Sequence, residues 1–332
     1  MRHSMKNIKK NIMKNISKLF ILGLVFVALA CEPNIDNPQG TGNLGTLVPE
    51  GTQLVYVAIG NSLTAGYQDG AVYGSAQEFS FPNLLAKQLG ITDFVQPAVP
   101  EDGIGERMIF QGFMGTGTPI IYRSSLVIST PTNASYAKPY NNLGVPGSVA
   151  YDLIDESDYA TRSQTRSNPF YYAFLRNNAL GASMIKQAIA LQPNFVTVWI
   201  GNNDVLGYAS SGGTVSTTGM PDAPVPTPAA TVQQILGSGV QALISALPNV
   251  KILLMTIPDV MGTPYFSVIP WNALVLTDQS QVDALNAAYG ALGYSFKIGQ
   301  NGFVAESPAG TMKMKQLTSS DKILLTIPQD SL

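Results

Sequence analysis

The chain has very little histidine and cysteine. Its 332 residues contain one histidine, His3, and one cysteine, Cys31. A single cysteine excludes an intramolecular disulfide, so an exported domain of this chain must be stabilised by its hydrophobic core. Because no histidine follows His3, most of the chain also lacks the side chain that most often acts as a general base near neutral pH.

Charge is scarce as well. Charged residues make up 12% of the chain and the net charge is −2, whereas globular domains usually carry about 25% charged residues. A surface of this composition gives no electrostatic footprint for nucleic acid, and we expect no nucleic-acid partner.

Residues 1–31 have the pattern of an export signal. Several lysines precede the apolar run Leu19 to Ala30, which is shorter than the about 20 residues needed to span a bilayer but suits a signal-peptide core. The small residues before Cys31 resemble a bacterial lipoprotein signal, in which Cys31 becomes the lipidated first residue. We expect an exported protein anchored to a membrane, the outer membrane of a bacterium. The alternative is an ordinary cleaved signal with Cys31 unmodified.

Residues 32–51 are rich in Pro, Gly, Asn and Thr and have no apolar periodicity. This composition predicts a flexible tether, followed by one domain over residues 52–332.

The segment from Val57 to Gly66 leads from an apolar strand into a turn that carries one reactive hydroxyl. Leu54 to Ile59 predict a buried strand, and Gly60 allows the backbone to leave it sharply. Ser62 then follows the carboxyl end of the strand, where catalytic groups collect in open α/β sheets. By itself this pattern fits a helix cap equally well.

The rest of the domain alternates strands and helices, which predicts an α/β fold with a mainly parallel sheet covered on both faces. Helices are predicted over Phe81 to Leu89, Asn178 to Leu191, a stretch beginning near Pro228 and a stretch from Val282 to Leu292. Buried strands are predicted over Phe195 to Ile200 and Val250 to Ile257. A further apolar strand is predicted over Lys322 to Ile327, with no later element to cover it.

Residues 91–140 show no sustained period. We expect them to form a long insertion, which either roofs the site or makes a plain surface excursion.

Three short blocks carry a family resemblance: Gly60-Asn61-Ser62-Leu63, then Asn142-Leu143-Gly144-Val145-Pro146-Gly147, then Gly201-Asn202-Asn203-Asp204. In this order they resemble the first three blocks of the SGNH (GDSL-type) hydrolases. Asn61 departs from the aspartate in the family's name. The resemblance implies a three-layer α/β/α fold and a serine esterase or acylhydrolase without a metal or organic cofactor. Its substrate would be an ester of a glycan, a lipid or a small molecule.

The resemblance also implies residue roles. Ser62 would be the nucleophile that forms an acyl-enzyme, and the oxyanion donors would be the backbone N–H groups of Ser62 and Gly147 and the side-chain amide of Asn203. Gly147 and Asn203 have a simpler explanation as turn-forming residues.

The family's fourth block, Asp-x-x-His, is not found in the sequence. A lysine could replace the histidine, but the nearest downstream lysine, Lys87, lies on a predicted helix. We expect a C-terminally incomplete domain with little activity. The alternative is a non-catalytic surface lipoprotein that binds glycan or lipid in the same cleft.

Overall fold

The computed structural model describes residues 48–49, 51–114, 118–213, 226–306 and 314–324. The chain divides into two compact units, Met1–Thr52 and Gln53–Leu332. The expected signal segment and nearly all of the expected tether lie outside the described residues, so both stay predictions. All elements named below belong to the second unit.

Short strands and helices alternate along this unit. The described strands are β1 (Tyr56–Gly60), β2 (Ala71–Val72), β3 (Ile104–Gly105), β4 (Met108–Met114), β5 (Thr118–Arg123), β6 (Val127–Ile128), β7 (Asn142–Gly144), β8 (Phe195–Trp199), β9 (Lys251–Leu254), β10 (Leu274–Leu276), β11 (Gly299–Asn301), β12 (Val304–Glu306) and β13 (Met314–Gln316). The described α-helices are α1 (Ser62–Ala65), α2 (Gly74–Glu78), α3 (Phe81–Gln88), α4 (Tyr159–Thr165), α5 (Met184–Ala190), α6 (Asn203–Ser210), α7 (Ala229–Ala246) and α8 (Gln279–Tyr289).

A four-stranded parallel sheet in the order β7-β1-β8-β9 forms the centre of the domain. Gly60, the last residue of β1, lies opposite Gly144 of β7 and Trp199 of β8. The segments that follow β1, β7 and β8 therefore leave the sheet at one edge. The parallel order confirms the α/β prediction.

Helices cover both faces of this sheet. Alternate residues of a strand point to opposite faces: on one face Phe81 of α3 packs edge-on against Trp199, with ring centroids 5.5 Å apart. On the other face Val198 belongs to the same buried cluster as Met184 of α5 and Leu243 of α7. The result is the three-layer α/β/α arrangement that the resemblance implied.

The fourth strand differs from its prediction. β9 is shorter than Val250 to Ile257 and largely exposed, with Leu253 and Leu254 each about half accessible. Among the described residues β9 pairs with β8 alone, so it lies at the edge of the sheet. An apolar sequence cannot distinguish a central strand from an edge strand.

The helix predicted from Asn178 begins later than expected. A short 3₁₀ turn, Asn178–Leu180, is followed by Gly181 at φ +136°, a backbone conformation that interrupts a helix. α5 then starts after Ser183, whose side chain accepts a hydrogen bond from the N–H of Lys186 at 3.3 Å and so caps the helix.

The insertion over residues 91–140 contains regular structure that the sequence did not predict. β4 and β5 form an antiparallel hairpin, and β3 and β6 form a small antiparallel sheet with β2, which lies before the insertion. β2, β3 and β6 have two residues each, and the hairpin register shifts between Phe110 and Gly112. Strands this short and irregular give no readable period.

The strand predicted from Lys322 to Ile327 is not seen where it can be checked. Residues 322–324 have no regular structure, and Ile323 is buried rather than exposed. Residues 325–327 lie outside the described part of the chain. Just before this segment Asp321 accepts hydrogen bonds from Thr318 and pairs with Lys315, which holds the chain in a turn.

Candidate active site

Ser62 lies directly after β1, at the start of α1. A Cβ on Gly60 would come within 2.6 Å of the carbonyl oxygen of Trp199, so only glycine fits where β1 turns away from the sheet. The helix cap is Asn61, whose buried side-chain oxygen accepts the N–H of Leu63 at 3.1 Å. The Ser62 hydroxyl therefore does not cap α1.

Asn142 ties the second block to this turn. Its side-chain N–H donates to the carbonyl of Thr64 at 2.9 Å, and its side-chain oxygen accepts the N–H of Gly144 at 3.0 Å. Because Asn142 is buried, these bonds also satisfy polar groups that would otherwise be costly inside the protein. The end of β7 is thereby held against α1.

Gly147 lies in an exposed turn whose neighbours are anchored on both sides. The side-chain N–H of Asn168 donates to the carbonyl of Pro146 at 2.8 Å, and the hydroxyl of Ser148 donates to the carbonyl of Gly60 at 3.2 Å. Gly147 itself has φ +80°, which favours glycine. Among the described residues its N–H has no hydrogen-bond partner, so it is available to a ligand.

Two buried carboxylates hold the backbone just after this turn. The N–H of Val149 donates to Asp152 and the N–H of Ala150 donates to Asp204, each at 2.7 Å. Burial raises the pKa of Asp204 above its usual range, against the opposing effect of the Ala150 N–H and the Thr227 hydroxyl. The turn that carries Gly147 is thus fixed from within the domain.

Asp152 is the centre of a buried ion-pair network. Arg166 contacts both of its carboxylate oxygens, at 2.8 and 3.0 Å, and the hydroxyl of Tyr171 donates to it at 2.8 Å. Asp155 lies 3.1 Å from Arg162 and 3.5 Å from Arg166. Burial raises the pKa of Asp152, while Arg166, the Val149 N–H, Arg162 and Tyr171 act to lower it. Two carboxylates and two guanidinium groups make the network neutral as a whole.

Asn203 is the first residue of α6, two residues after Gly201, whose φ of +110° requires glycine. One of its side-chain N–H groups donates to the carbonyl of Ser148 at 2.8 Å. An amide carries two N–H groups, so the second stays available for a ligand. The bond to Ser148 links the third block to the turn that carries Gly147.

The structure brings the three predicted residues to one edge of the sheet but supplies no base beside Ser62. Among the described residues, no carboxylate or amine forms a hydrogen bond with the Ser62 hydroxyl. The residues that sequence reasoning missed are the supports, Asp152 and Asp204. Asp204 belongs to the third block, which could have marked it, whereas nothing in the sequence pairs Asp152 with Arg166.

A groove with a volume of 540 Å³ adjoins the third block. Gly201, Asp204 and Thr227 line one part of it. The rest is mostly apolar and comes from Val205 of α6, from α7, from the end of β9 and from Ile257. The groove offers an apolar surface beside Gly201 and Asp204 of the third block.

A family model for GDSL-like lipases and acylhydrolases matches residues 56–306. The chain belongs to this family. Membership of the GDSL-like lipases and acylhydrolases supports an esterase or acylhydrolase activity in general, and an ester as the substrate. No curated protein and no solved structure gives a match. Within the described ranges, no helix is both long enough and apolar enough to cross a membrane.

Proposed function

We propose that this GDSL-family chain carries a serine ester-hydrolase site in which Ser62 is the nucleophile. The observation that supports this most strongly is the sheet register, which sets Gly60, Gly144 and Trp199 side by side. The segments carrying Ser62, Gly147 and Asn203 leave the sheet from these three residues.

In the proposed reaction, the Ser62 oxygen attacks the ester carbonyl and its proton passes to a base. The carbonyl oxygen becomes an oxyanion, which the N–H groups of Ser62 and Gly147 and the amide of Asn203 would stabilise. Loss of the C–O bond releases the alcohol and leaves an acyl-enzyme, which water then hydrolyses. Removing one such oxyanion donor typically costs about 3–4 kcal/mol of transition-state stabilisation.

The base is the missing part of this mechanism. No histidine follows His3, so residues 4–332 contain no imidazole. Serine triads that lose one member keep a residual acceleration of about 10³–10⁴-fold over water, from the oxyanion hole and binding alone. We therefore propose that the 332-residue chain is nearly inactive alone. The missing base also supports the second candidate function, a non-catalytic lipoprotein that binds glycan or lipid in the same cleft.

The apolar groove lined by Gly201 and Asp204, which flank Asn202 and Asn203 in the third block, supports a substrate with a hydrocarbon part, such as the acyl group of a lipid or an acylated glycan. We also propose that residues 1–31 direct export, that Cys31 carries the lipid anchor at the outer membrane, and that residues 32–51 tether a domain over residues 52–332. These proposals rest on the sequence pattern.

The test is hydrolysis of p-nitrophenyl acetate by the 332-residue chain and by a fusion that appends an Asp-x-x-His segment. We expect very slow turnover by the chain alone, a large gain in the fusion, and loss of that gain in Ser62→Ala. Fast hydrolysis by the chain alone that disappears in Ser62→Ala would contradict the account of the base. The DNA beyond codon 332 separates the two candidates: an in-frame Asp-x-x-His favours the enzyme and an immediate stop favours the binding protein.

A further inference from the structure

Tyr67 follows the Ser62 turn, and its backbone is held in place on both sides. Its N–H donates to the carbonyl of Ser62 at 3.2 Å, directly after Gly66, whose φ of +81° ends α1. On the other side, Gln68 and Ala71 exchange two backbone hydrogen bonds of 2.9 Å each. The position of Tyr67 relative to Ser62 is therefore fixed by the main chain.

The ring of Tyr67 is fixed as well. It packs edge-on against the buried ring of Phe170, with the ring centroids 6.2 Å apart. The N–H of Phe170 donates to the side-chain oxygen of Asn168 at 3.0 Å, and the side-chain N–H of Asn168 donates to the carbonyl of Pro146 at 2.8 Å. The Tyr67 ring is thereby linked to the turn that carries Gly147.

Part of Tyr67 stays open to solvent. Tyr67 is 37% exposed, and Leu63, the residue after Ser62, is 43% exposed. Burial of the rest of the side chain has the largest effect on the pKa of the Tyr67 hydroxyl and raises it, while Arg123 lowers this pKa and Glu106 raises it by less. The hydroxyl is therefore uncharged at neutral pH, and Tyr67 offers a neutral aromatic surface beside Ser62.

The order of the sheet places this surface and the apolar groove on different sides of Ser62. β1, which leads to Ser62, lies between β7 and β8. The groove is lined by Gly201 after β8, by the end of β9 and by α7, whereas Tyr67 is linked to the Gly147 turn after β7. The acyl and alcohol parts of an ester diverge from its carbonyl carbon. With the acyl part on the groove side, the alcohol part lies on the Tyr67 side.

We infer that Tyr67 forms one wall of the site for the alcohol part of the ester, and that this part contains a ring. The inference rests on the proposed hydrolysis at Ser62 and names its substrate class, esters of a sugar or of an aromatic alcohol. Both alcohols carry a ring with an apolar face, made of C–H groups in a pyranose and of a π-system in an aryl group. Such a face packs on a fixed aromatic ring, whereas a short straight-chain alcohol has no face to present.

Two acetate esters test the contact, because they differ in the alcohol alone. p-Nitrophenyl acetate and vinyl acetate form the same acetyl-enzyme: the Ser62 oxygen bonds to the carbonyl carbon, the ester C–O bond breaks, and the Ser62 proton ends on the released alcohol or on water. The ratio of their kcat/KM values therefore compares acylation by a ring alcohol ester with acylation by a ring-free one. It is measured on the 332-residue chain after subtraction of the rate of Ser62→Ala.

Tyr67→Ala should lower kcat/KM for p-nitrophenyl acetate about three- to tenfold relative to vinyl acetate, and Tyr67→Phe, which keeps the ring, should preserve the ratio. The matched control is Tyr172→Ala, which removes an exposed tyrosine whose N–H bonds Ser163 of α4 and should leave the ratio unchanged. An equal fall for both esters in Tyr67→Ala would overturn the inference, because Tyr67 would then only support the Ser62 turn.

Protection of Ser62 from a fluorophosphonate separates the two kinds of ring and needs no turnover. Phenol and methyl β-glucopyranoside serve as ring alcohols, and sorbitol as a polyol without a ring. We expect a ring alcohol to slow labelling several-fold in the parent but not in Tyr67→Ala, and sorbitol to slow it in neither. Protection by the glucoside indicates a sugar ester, and protection by phenol alone an aryl ester.

Two further outcomes would count against the account in different ways. Protection by neither ring alcohol, or the same protection in Tyr67→Ala as in the parent, would overturn the role of Tyr67 while Ser62 remained the nucleophile. No label on Ser62 in any protein would contradict the proposed hydrolysis itself, and the inference with it.

Discussion

The substitution Asp152→Asn would test how the turn that carries Gly147 is held in place. Asp152 is completely buried and receives hydrogen bonds from Arg166, Tyr171 and the N–H of Val149, all at 3.0 Å or less. Asparagine has nearly the same shape and can still accept a hydrogen bond from Val149. The change therefore removes one charge and little volume.

The expected cost follows from the balance of charge. Asp152, Asp155, Arg162 and Arg166 carry two negative and two positive charges, so Asp152→Asn leaves one buried positive charge without a partner. Breaking a buried ion pair in this way costs about 3–5 kcal/mol of unfolding free energy. The loss is a large share of the about 5–15 kcal/mol that stabilises a typical domain.

Urea unfolding followed by circular dichroism measures this cost. The matched control is Glu156→Gln, which removes a carboxylate 2.6 Å from Lys186 at the exposed surface. Exposed pairs contribute about 0–1 kcal/mol, so the control should unfold close to the parent. An Asp152→Asn protein within about 1 kcal/mol of the parent would refute the reasoning, because the network would then contribute no more than a surface pair.

Three further predictions concern the turn, its supports and the proposed anchor. Gly147→Ala should lower the free energy of unfolding in urea by more than Gly90→Ala. Both glycines have positive φ, which costs an alanine about 1–2 kcal/mol. A Cβ at Gly147 would also lie 2.8 Å from the side chain of Asn168, whereas one at Gly90 would meet open space. Folding raises the pKa of Asp204 above its ordinary value of 3.8, so the folded state binds this proton more tightly than the unfolded state. The free energy of unfolding that Asp204 contributes is therefore fully present below pH 3.8 and is lost as the pH rises through the folded pKa. Between these two pH values the parent should lose stability relative to Asp204→Asn, and a constant difference between the two proteins would contradict this. Cys31→Ser should move the exported protein from the detergent phase to the aqueous phase, and unchanged partitioning would reject lipidation.

The sequence predicted the parts of the fold that have long, regular patterns. β1, β8 and α7 combine continuous apolar runs or clear helical periodicity with glycine or proline at their ends, so their positions were predicted to within about three residues. The α/β/α arrangement followed from their alternation. The position of β9 along the chain was predicted correctly, but its burial was not. A strand is buried only if other strands pair with it on both sides, and the sequence of β9 does not show whether they do.

The rest depended on contacts between distant residues. In the hairpin of residues 108–123 apolar residues occupy consecutive positions, such as Met108, Ile109 and Phe110, so there is no apolar–polar alternation to read. Asp152 and Arg166 are 14 positions apart and meet through the fold alone. For the site, the sequence suggested Ser62, Gly147 and Asn203 through the three blocks, whereas the bond from Asn203 to Ser148 and the anchoring of the Gly147 turn were visible in the structure alone.

The central claim is that Ser62 is a nucleophile served by the N–H of Gly147 and the amide of Asn203. Its most direct test is the rate and position of modification by a fluorophosphonate, followed by peptide mass spectrometry after long incubation of the folded 332-residue chain. We predict slow formation of one adduct on the peptide containing Ser62, none on that peptide in Ser62→Ala, and at least a tenfold lower rate in Asn203→Ala. An adduct on another residue, or the same rate in Asn203→Ala as in the parent, would contradict the account.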